Sequence, residues 1–128
     1  MKEFTMKINS ISFGFSTKKL EETQTFYESA LDAKLIYKIE GYIILKVGNL
    51  PCLLEFSSPE LTGEKKSDAT SIGFNIDVDD VKKAYDEVIQ KGFEIDMPLK
   101  HHEWGEIGFS IKDPNGLTIY ICKTLSKD

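Results

Sequence analysis

The sequence predicts an α+β fold with two βαβββ modules, which form a curved, mixed, eight-stranded sheet shaped as an open cup with the helices outside. Three observations lead to it. Several segments alternate apolar and polar side chains, two others repeat apolar residues every three or four positions, and the order strand, helix, three strands occurs twice. At about 55 residues neither half could bury its sheet alone, so one domain over residues 1–128 is expected.

The first half, about residues 7–57, begins with an alternating strand at 8–17 whose apolar side chains are Ile11, Phe13 and Phe15. Residues 18–31 then change period, which predicts an amphipathic helix. The inward positions of this helix are Leu20, Thr23, Tyr27, Ala30 and Leu31. Three predicted strands follow at 34–39, 42–47 and 52–57, with a turn at Gly48-Asn49.

A polar segment, residues 58–70, is expected to be an exposed linker to the second half, about 71–123. This half repeats the order with a strand at 71–78 and a helix at 79–92, capped by Asp79 or Asp80 and ended by Gly92. The remaining predicted strands are 93–97, 106–112 and 117–122, with a tight turn "DPNG" at 113–116.

Composition excludes several classes of partner. A net charge of −5 and a pI near 5.1 argue against a broad nucleic-acid surface. No apolar run is long enough for a membrane span, and the start "MKEFTMKINS" lacks the apolar core of a signal peptide. Cys52 and Cys122 lie far apart without metal-type spacing, so buried thiols in a reducing cytoplasm are expected.

The two halves resemble the vicinal oxygen chelate superfamily, which includes glyoxalase I, extradiol dioxygenases and bleomycin-resistance proteins. Leu20, Thr23 and Phe26-Tyr27 match the signature of its first helix, and "WGEIGFSIKDPNGLTIYI" (104–121) is similar to its second-module hairpin. The hairpin is most similar to that of bleomycin-resistance-like members. The resemblance covers about residues 7–123 and implies a homodimer.

In metal-dependent members of that superfamily, the first and last strands of each module supply the ligands of a divalent cation. The resemblance places these four positions at Ser12, Glu55, Gly73 and Tyr120. Only Glu55 is an ordinary metal ligand, whereas a divalent site needs three or four converging donors. The expectation is therefore a protein without a metal and without a cofactor.

The segment "KHHEWGE" (100–106) contains both histidines and the only tryptophan. His101 and His102 are adjacent, so on an extended segment they point in opposite directions and at most one faces the cup. Three interpretations remain open. The segment is a solvated loop before the next strand, a metal chelate completed by Glu55, or a rim that contacts ligand through Trp104, for which a core position is the rival.

Strand alternation assigns the lining of the cup. If the phenylalanines and isoleucines of the strands face the helices, the opposite face presents Ser12, Gly14, Ser16, Leu53, Glu55, Ser57, Asn75, Asp77, Thr118 and Tyr120. Glu55 either accepts a hydrogen bond from Tyr120 or Asn75 across the cup or anchors a cationic ligand. The candidate ligand-binding residues are Ser12, Glu55, Asn75, His102, Trp104 and Tyr120, and no catalytic residue can be named.

The leading functional hypothesis is a metal-independent protein that binds a small organic molecule, with sequestration of an antibiotic or another toxic compound as the role that the resemblance implies. One alternative is a metal-dependent lyase or dioxygenase of glyoxalase type with an altered metal site. A second alternative is a structural or regulatory subunit whose cup is filled by its own side chains, such as Leu53, Trp104 and Tyr120.

Overall fold

The computed structural model describes residues 6–7, 12–49, 52–63, 65, 67 and 72–125. Their elements, in chain order, are β1 (Phe13–Ser16), α1 (Leu20–Leu31), β2 (Lys34–Ile39), β3 (Tyr42–Val47), β4 (Cys52–Ser57), α2 (Pro59–Thr62), β5 (Gly73–Asp77), α3 (Val81–Gln90), β6 (Met97–His102), β7 (Glu106–Lys112) and β8 (Thr118–Thr124). Ile11, the first residues of the predicted strand 8–17 and most of residues 64–71 lie outside the described part. None of the described helices is long and apolar enough to cross a membrane.

The strands form two sheets of the same topology, β1-β4-β3-β2 and β5-β8-β7-β6. In each sheet the first pair is parallel and the other two pairs are antiparallel. The α+β class with two βαβββ modules is therefore confirmed. The eight strands are divided into two four-stranded units, and the described strands do not close into a barrel.

The sixth strand lies later in the chain than the sequence predicts. The prediction of a strand at 93–97 is wrong, because β6 covers Met97–His102 and pairs antiparallel with β7. Phe93 and Ile95 supply the apolar alternation that suggested a strand, but they pack against the core from an irregular segment. The two histidines consequently lie at the end of a strand and not in a loop, while Glu103, Trp104 and Gly105 form the turn that leads into β7.

A single helical turn, α2, begins the segment expected to be a linker. The Ser58 hydroxyl accepts a hydrogen bond from the Glu60 N–H at 3.1 Å, Pro59 occupies the first turn, and Gly63 ends it with φ of 74°. These are ordinary helix start and stop signals. Glu60, Leu61 and Thr62 are exposed, as predicted for this segment.

The two halves share one apolar core. Tyr27 of α1 is fully buried, and its ring lies 5.5 Å from that of Phe56 in the first sheet and 6.3 Å from that of Phe74 in the second. Phe13 and Phe74 also approach to 6.0 Å. Burial of these large side chains is the main attraction between the halves. Because side chains alternate along a strand, the polar face of each sheet points away from this core.

The turn between β7 and β8 connects the halves. Asp113 is buried, and its carboxylate accepts hydrogen bonds from the N–H groups of Asn115 and Leu117 at 2.8 and 2.9 Å and from the Tyr27 hydroxyl at 2.9 Å. The Asn115 amide donates to the Thr23 hydroxyl at 3.0 Å. Burial, and then Asp113, raise the pKa of Tyr27 well above its usual value. The interpretation of "DPNG" as a turn alone is therefore incomplete, since it holds the first helix.

Candidate functional site

Glu55 lies in the middle of the polar face of the first sheet. On β4 it pairs with Gly14 of β1 on one side and with Ile44 of β3 on the other. The Ser12 hydroxyl donates a hydrogen bond to one carboxylate oxygen, and the Tyr42 hydroxyl donates to the other. No atom lies within 4 Å of the position that a Cβ would take on Gly14, so the face beside Glu55 is open.

These three residues, the Glu55 group (Ser12, Tyr42 and Glu55), keep the carboxylate charged. The hydrogen bond from Ser12, followed by that from Tyr42, lowers the pKa of Glu55 against the opposing effect of burial. In return, the bond to Glu55 is the main reason that the pKa of Tyr42 rises to about 12. A carboxylate can accept about four hydrogen bonds, so Glu55 retains acceptor capacity for a ligand.

Glu55 has no cationic partner among the described residues. The salt bridges formed within the described part of the chain are Lys34–Asp32 and Lys82–Asp86. The negative charge of Glu55 is thus stabilised by neutral hydroxyl groups and is not neutralised. A site of this kind attracts a cation or a strong hydrogen-bond donor.

The second sheet carries an aromatic cluster on its polar face, the Trp104 group (His102, Trp104, Glu106 and Tyr120). The His102 and Trp104 rings stack with centroids 4.2 Å apart and an interplanar angle of 8°. The Tyr120 ring meets His102 edge-on at 5.8 Å. His102 is 6% exposed and Trp104 is 61% exposed, so the ring face of Trp104 not covered by His102 is available to a ligand.

Glu106 connects the members of this cluster. Its Oε1 accepts hydrogen bonds from the Trp104 Nε1–H at 2.5 Å and from the Tyr120 hydroxyl at 3.2 Å. The Cys122 thiol lies 3.6 Å from Oε2. Burial, and then Glu106, raise the pKa of Cys122 to about 11, and burial is also the main cause of the raised pKa of Tyr120.

Gly108 shapes the cluster in two ways. The His102 Nε2 lies 3.2 Å from the Gly108 carbonyl oxygen, which can only accept, so this nitrogen carries the hydrogen. The absence of a side chain on Gly108 leaves room for Tyr120, since a Cβ there would lie 2.6 Å from three atoms of the Tyr120 side chain. Tyr120 therefore lies over Gly108 and reaches Glu106.

The six predicted ligand-binding residues fall into two separate places. Ser12 joins Glu55, whereas His102, Trp104 and Tyr120 join each other. Asn75 pairs with Tyr120 in the parallel β5–β8 register and is exposed. Within the described residues no hydrogen bond or ring contact joins the two places.

The expected partner of Glu55 was wrong. Tyr120 donates to Glu106, and the donors to Glu55 are Ser12 and Tyr42. Sequence reasoning missed Tyr42 and Glu106 as members of the site. The alternation of β3 places Tyr42 on one face, but only the pairing register shows that it approaches Glu55.

The residues at the four superfamily metal positions do not fit a divalent cation. A side chain on Gly73 would overlap the backbone carbonyl oxygen of Thr118, so this position cannot carry a ligand without moving β8. Tyr120 is hydrogen-bonded to Glu106, and Ser12 supplies a hydroxyl that donates to Glu55. Among the described residues, no three His, Cys, Asp or Glu side chains converge in a geometry able to hold a metal ion.

The fold consists of two βαβββ modules with polar faces and a shared apolar core. Comparison with known proteins identifies the family to which the chain belongs. The sequence profile of the Glyoxalase/Bleomycin resistance protein/Dioxygenase superfamily matches residues 7–121. The chain belongs to this superfamily, which confirms the resemblance seen in the sequence. Among functionally curated proteins, none matches the chain.

Solved structures with the same fold include members of several branches. A glyoxalase/bleomycin resistance protein/dioxygenase from Nocardioides superposes with a TM-score of 0.78 at 17% identity, over 97% of this chain and 89% of that chain. A bleomycin-binding protein complexed with bleomycin gives 0.68 at 20% identity, over 91% and 99%. Lactoylglutathione lyase from Agrobacterium tumefaciens gives 0.71 at 16% identity, over 91% and 95%. Identities this low establish the fold alone.

Proposed function

We propose that this protein binds a small organic molecule without the help of a divalent metal, and that Glu55 anchors a cationic or hydrogen-bond-donating group of that molecule. The observation that carries the proposal is the state of the Glu55 carboxylate. It is ionised, held by Ser12 and Tyr42, and has no cationic partner among the described residues. A ligand cation would supply the missing countercharge.

Trp104 is the proposed stacking surface for the same ligand. Its ring is fixed by the His102 stack and by the hydrogen bond to Glu106, while most of its surface stays exposed. A fixed ring loses little conformational freedom when a ligand binds. A cation over such a face gains roughly 0.5–2 kcal/mol. Asn75, beside Tyr120, is proposed as a further polar contact.

A homodimer is part of the proposal, because one chain does not bring the two groups together. The halves are joined through their apolar faces, so the Glu55 face and the Trp104 face both point outward. Strand β2 is a sheet edge with Leu35, Ile36, Tyr37 and Ile39 all exposed. We propose that a second copy covers these side chains and brings the Glu55 face of one chain opposite the Trp104 face of the other. Sedimentation equilibrium tests this, and a monomer at all concentrations would contradict it.

Sequestration of an antibiotic or another toxic compound is the role that we propose for this binding. The bleomycin-binding protein with the same fold supports it by architecture. A cytoplasmic location is proposed as well, and the free thiols of Cys52 and Cys122 are consistent with it. Sequestration requires affinity alone, which agrees with a site that has an anionic anchor and a stacking ring.

Thermal-shift measurements and equilibrium dialysis with bleomycin and a panel of aromatic cations test the binding. A bound compound at 100 times its dissociation constant adds about 2.7 kcal/mol to the stability. Glu55→Gln and Trp104→Ala are each expected to weaken binding about tenfold, whereas Glu40→Gln, on an exposed turn residue, should leave it unchanged. The proposal would be overturned if no compound of the panel bound, or if all three substitutions had equal effects on binding.

Independence from metal has its own test. Binding is expected to persist after exhaustive treatment with a chelator, since Glu55 is the one ordinary ligand at the superfamily positions. Stoichiometric zinc, nickel, manganese or iron in the purified protein, lost in Glu55→Ala, would instead favour the metal-dependent lyase or dioxygenase.

A non-catalytic structural or regulatory subunit is the second candidate. The side chain of Tyr120 occupies the space over Gly108, and His102 is buried beneath Trp104, so the second face is partly filled by its own residues. A protein that dimerises yet binds no member of the panel would support this candidate over the first.

A further inference from the structure

A cleft of about 350 Å³ lies between the two halves and shares no residue with the Glu55 group or the Trp104 group. Its walls come from the end of α1, the β3–β4 turn, the end of β5, α3 and β8. A volume of this size is within the range of small-molecule sites. Because both halves contribute walls, an occupant would contact the two modules at once.

The inner surface of the cleft is apolar and incompletely covered. Val88 and Ile121 at its base are buried, whereas the side chains that surround them remain partly exposed. These half-buried apolar residues are Leu31, Val47, Ile76, Val78 and Ala84. They already pack against the core on one side, so an apolar body in the cleft would complete their burial.

The rim of the cleft is acidic. Its lining contains three carboxylates, Asp32, Asp77 and Glu87, and one cationic residue, Lys91. The Lys91 ammonium donates to the Ser29 carbonyl oxygen at 3.0 Å, which occupies part of its hydrogen-bonding capacity. The excess of negative charge favours a cation at the mouth.

The individual carboxylates differ in what they already contact. Asp32 pairs with Lys34 at 3.3 Å, and Asp77 accepts a hydrogen bond from the Thr124 N–H at 3.4 Å. Within the described part of the chain, no hydrogen bond or ion pair engages the Glu87 carboxylate. Glu87 lies on α3, one turn before Lys91, and is exposed. It is the carboxylate most available to a ligand.

We propose that this cleft is a second binding site, which takes a small organic cation made of an ammonium group on a compact apolar body. The apolar body lies between Leu31, Ile76 and Ala84, and the ammonium group lies at the rim near Glu87. The charge at the rim selects the amine over a carboxylic acid of the same shape. The site is independent of the function proposed for Glu55, because no residue is shared.

Two aliphatic probes of matched shape and opposite charge, which lack the aromatic ring proposed to stack on Trp104, test the assignment, 3-cyclohexylpropylamine and 3-cyclohexylpropionate. Titration calorimetry with the full chain is expected to show the ammonium probe bound about tenfold more tightly than the carboxylate. In methyl-resolved NMR spectra, the ammonium probe should perturb Leu31, Val47, Ile76 and Val88 and leave the Trp104 indole signal unchanged.

Charge reversal at the rim gives the matched controls. Glu87→Lys should weaken the ammonium probe about fivefold, while Glu94→Lys, the same charge change on an exposed residue outside the cleft, leaves it unchanged. Glu55→Gln should also have no effect, which separates this site from the one on the polar faces.

Three results would overturn the assignment. The first is equal affinity for the two probes, and the second is NMR perturbation confined to Trp104. The third is loss of probe binding as the protein concentration rises, which would assign the cleft to a second copy of the chain.

Discussion

The polar faces of the two sheets contain the same pair of residue types on opposite strands. In the first half, Tyr42 on β3 donates its hydroxyl to Glu55 on β4. In the second half the tyrosine is on the later strand, since Tyr120 on β8 donates to Glu106 on β7. Each face thus holds a tyrosine and a carboxylate on neighbouring antiparallel strands.

The tyrosine of the second half can lie on the later strand only if the neighbouring strand leaves space for its side chain. Gly108 pairs with Cys122 in the second sheet as Tyr42 pairs with Ser57 in the first, so a glycine stands where the first half has its tyrosine. That glycine leaves the space that Tyr120 occupies. The first face stays open around an ionised carboxylate, whereas the second face is closed by a stack of rings. A duplicated module can therefore reach two different surfaces by moving one aromatic side chain across a strand pair.

The largest difference in stability between the two halves is expected from substitutions in the turns that precede the last strand of each half. Asp113→Ala removes the acceptor of four hydrogen bonds and leaves buried donors on Tyr27 and Leu117 without partners. The expected loss is about 3 kcal/mol or more. Asn49→Ala, at the exposed turn of the first half, should cost less than about 0.5 kcal/mol. Urea unfolding measures both, and similar losses would show that the Asp113 turn is not what connects the halves.

Adding one methyl group tests the exchange of the tyrosines directly. Gly108→Ala forces Tyr120 off its position and should cost about 1–3 kcal/mol, with a change in the fluorescence of Trp104. Gly14→Ala, on the open face of the first sheet, meets no atom within 4 Å. It should be neutral or slightly stabilising, by about 0.5 kcal/mol. Equal stability of the two variants would contradict the closed packing of the second face.

The Glu55 carboxylate on the open face should make the free energy of unfolding depend on pH. The pKa of Glu55 is lower in the folded chain than the value of about 4.3 expected when unfolded. Its contribution is therefore complete above pH about 4.3 and is lost as the pH falls through the folded pKa. Solvent screening limits it to at most about 1 kcal/mol.

Urea midpoints between pH 6 and pH 3 provide the measurement for Glu55. Glu55→Gln should remove part of the stability loss that occurs at low pH. Ser12→Ala should remove a smaller part, because Ser12 is the main cause of the lowered pKa of Glu55 but Tyr42 still contributes. An unchanged pH profile in Glu55→Gln would mean that the carboxylate gains nothing on folding.

The smallest expected difference concerns the two cysteines. It affects the rate at which their thiols are alkylated and not the stability of the fold. Cys52 on β4 is exposed, so the expectation of a buried thiol is wrong for this residue. Cys122 on β8 is buried, and the pKa of its thiol is raised to about 11. Only the thiolate reacts with alkylating reagents. At pH 8 the native protein should take up one equivalent of iodoacetamide rapidly and the second only after unfolding. Two equally fast equivalents in the native protein would show that the second face is accessible.

Much of the fold was predictable because its signals are local. Alternation and helical spacing in short windows predicted α1, α3 and seven of the eight strands, and the repeated order predicted two modules. The exception, β6, was misplaced because Phe93 and Ile95 alternate like a strand but serve as core contacts of an irregular segment. The candidate site was only partly predictable. His102 and Trp104 were named as candidate ligand-binding residues, but Glu106 and Tyr42 were not expected in the site.

The sequence by itself determined most of the segments that form strands and helices and which side chains share a face of each strand. The resemblance to the superfamily added the four metal positions, which retain one ordinary ligand. The strands, the helices and their faces depend on residue type and on periods of 2 and 3.6, which any short window contains. Only the tertiary structure decided that Glu55 meets Tyr42, that Asp113 holds Tyr27, and that the Glu55 and Trp104 groups lie apart. Those contacts depend on strand register and on packing between distant segments, which local patterns do not specify.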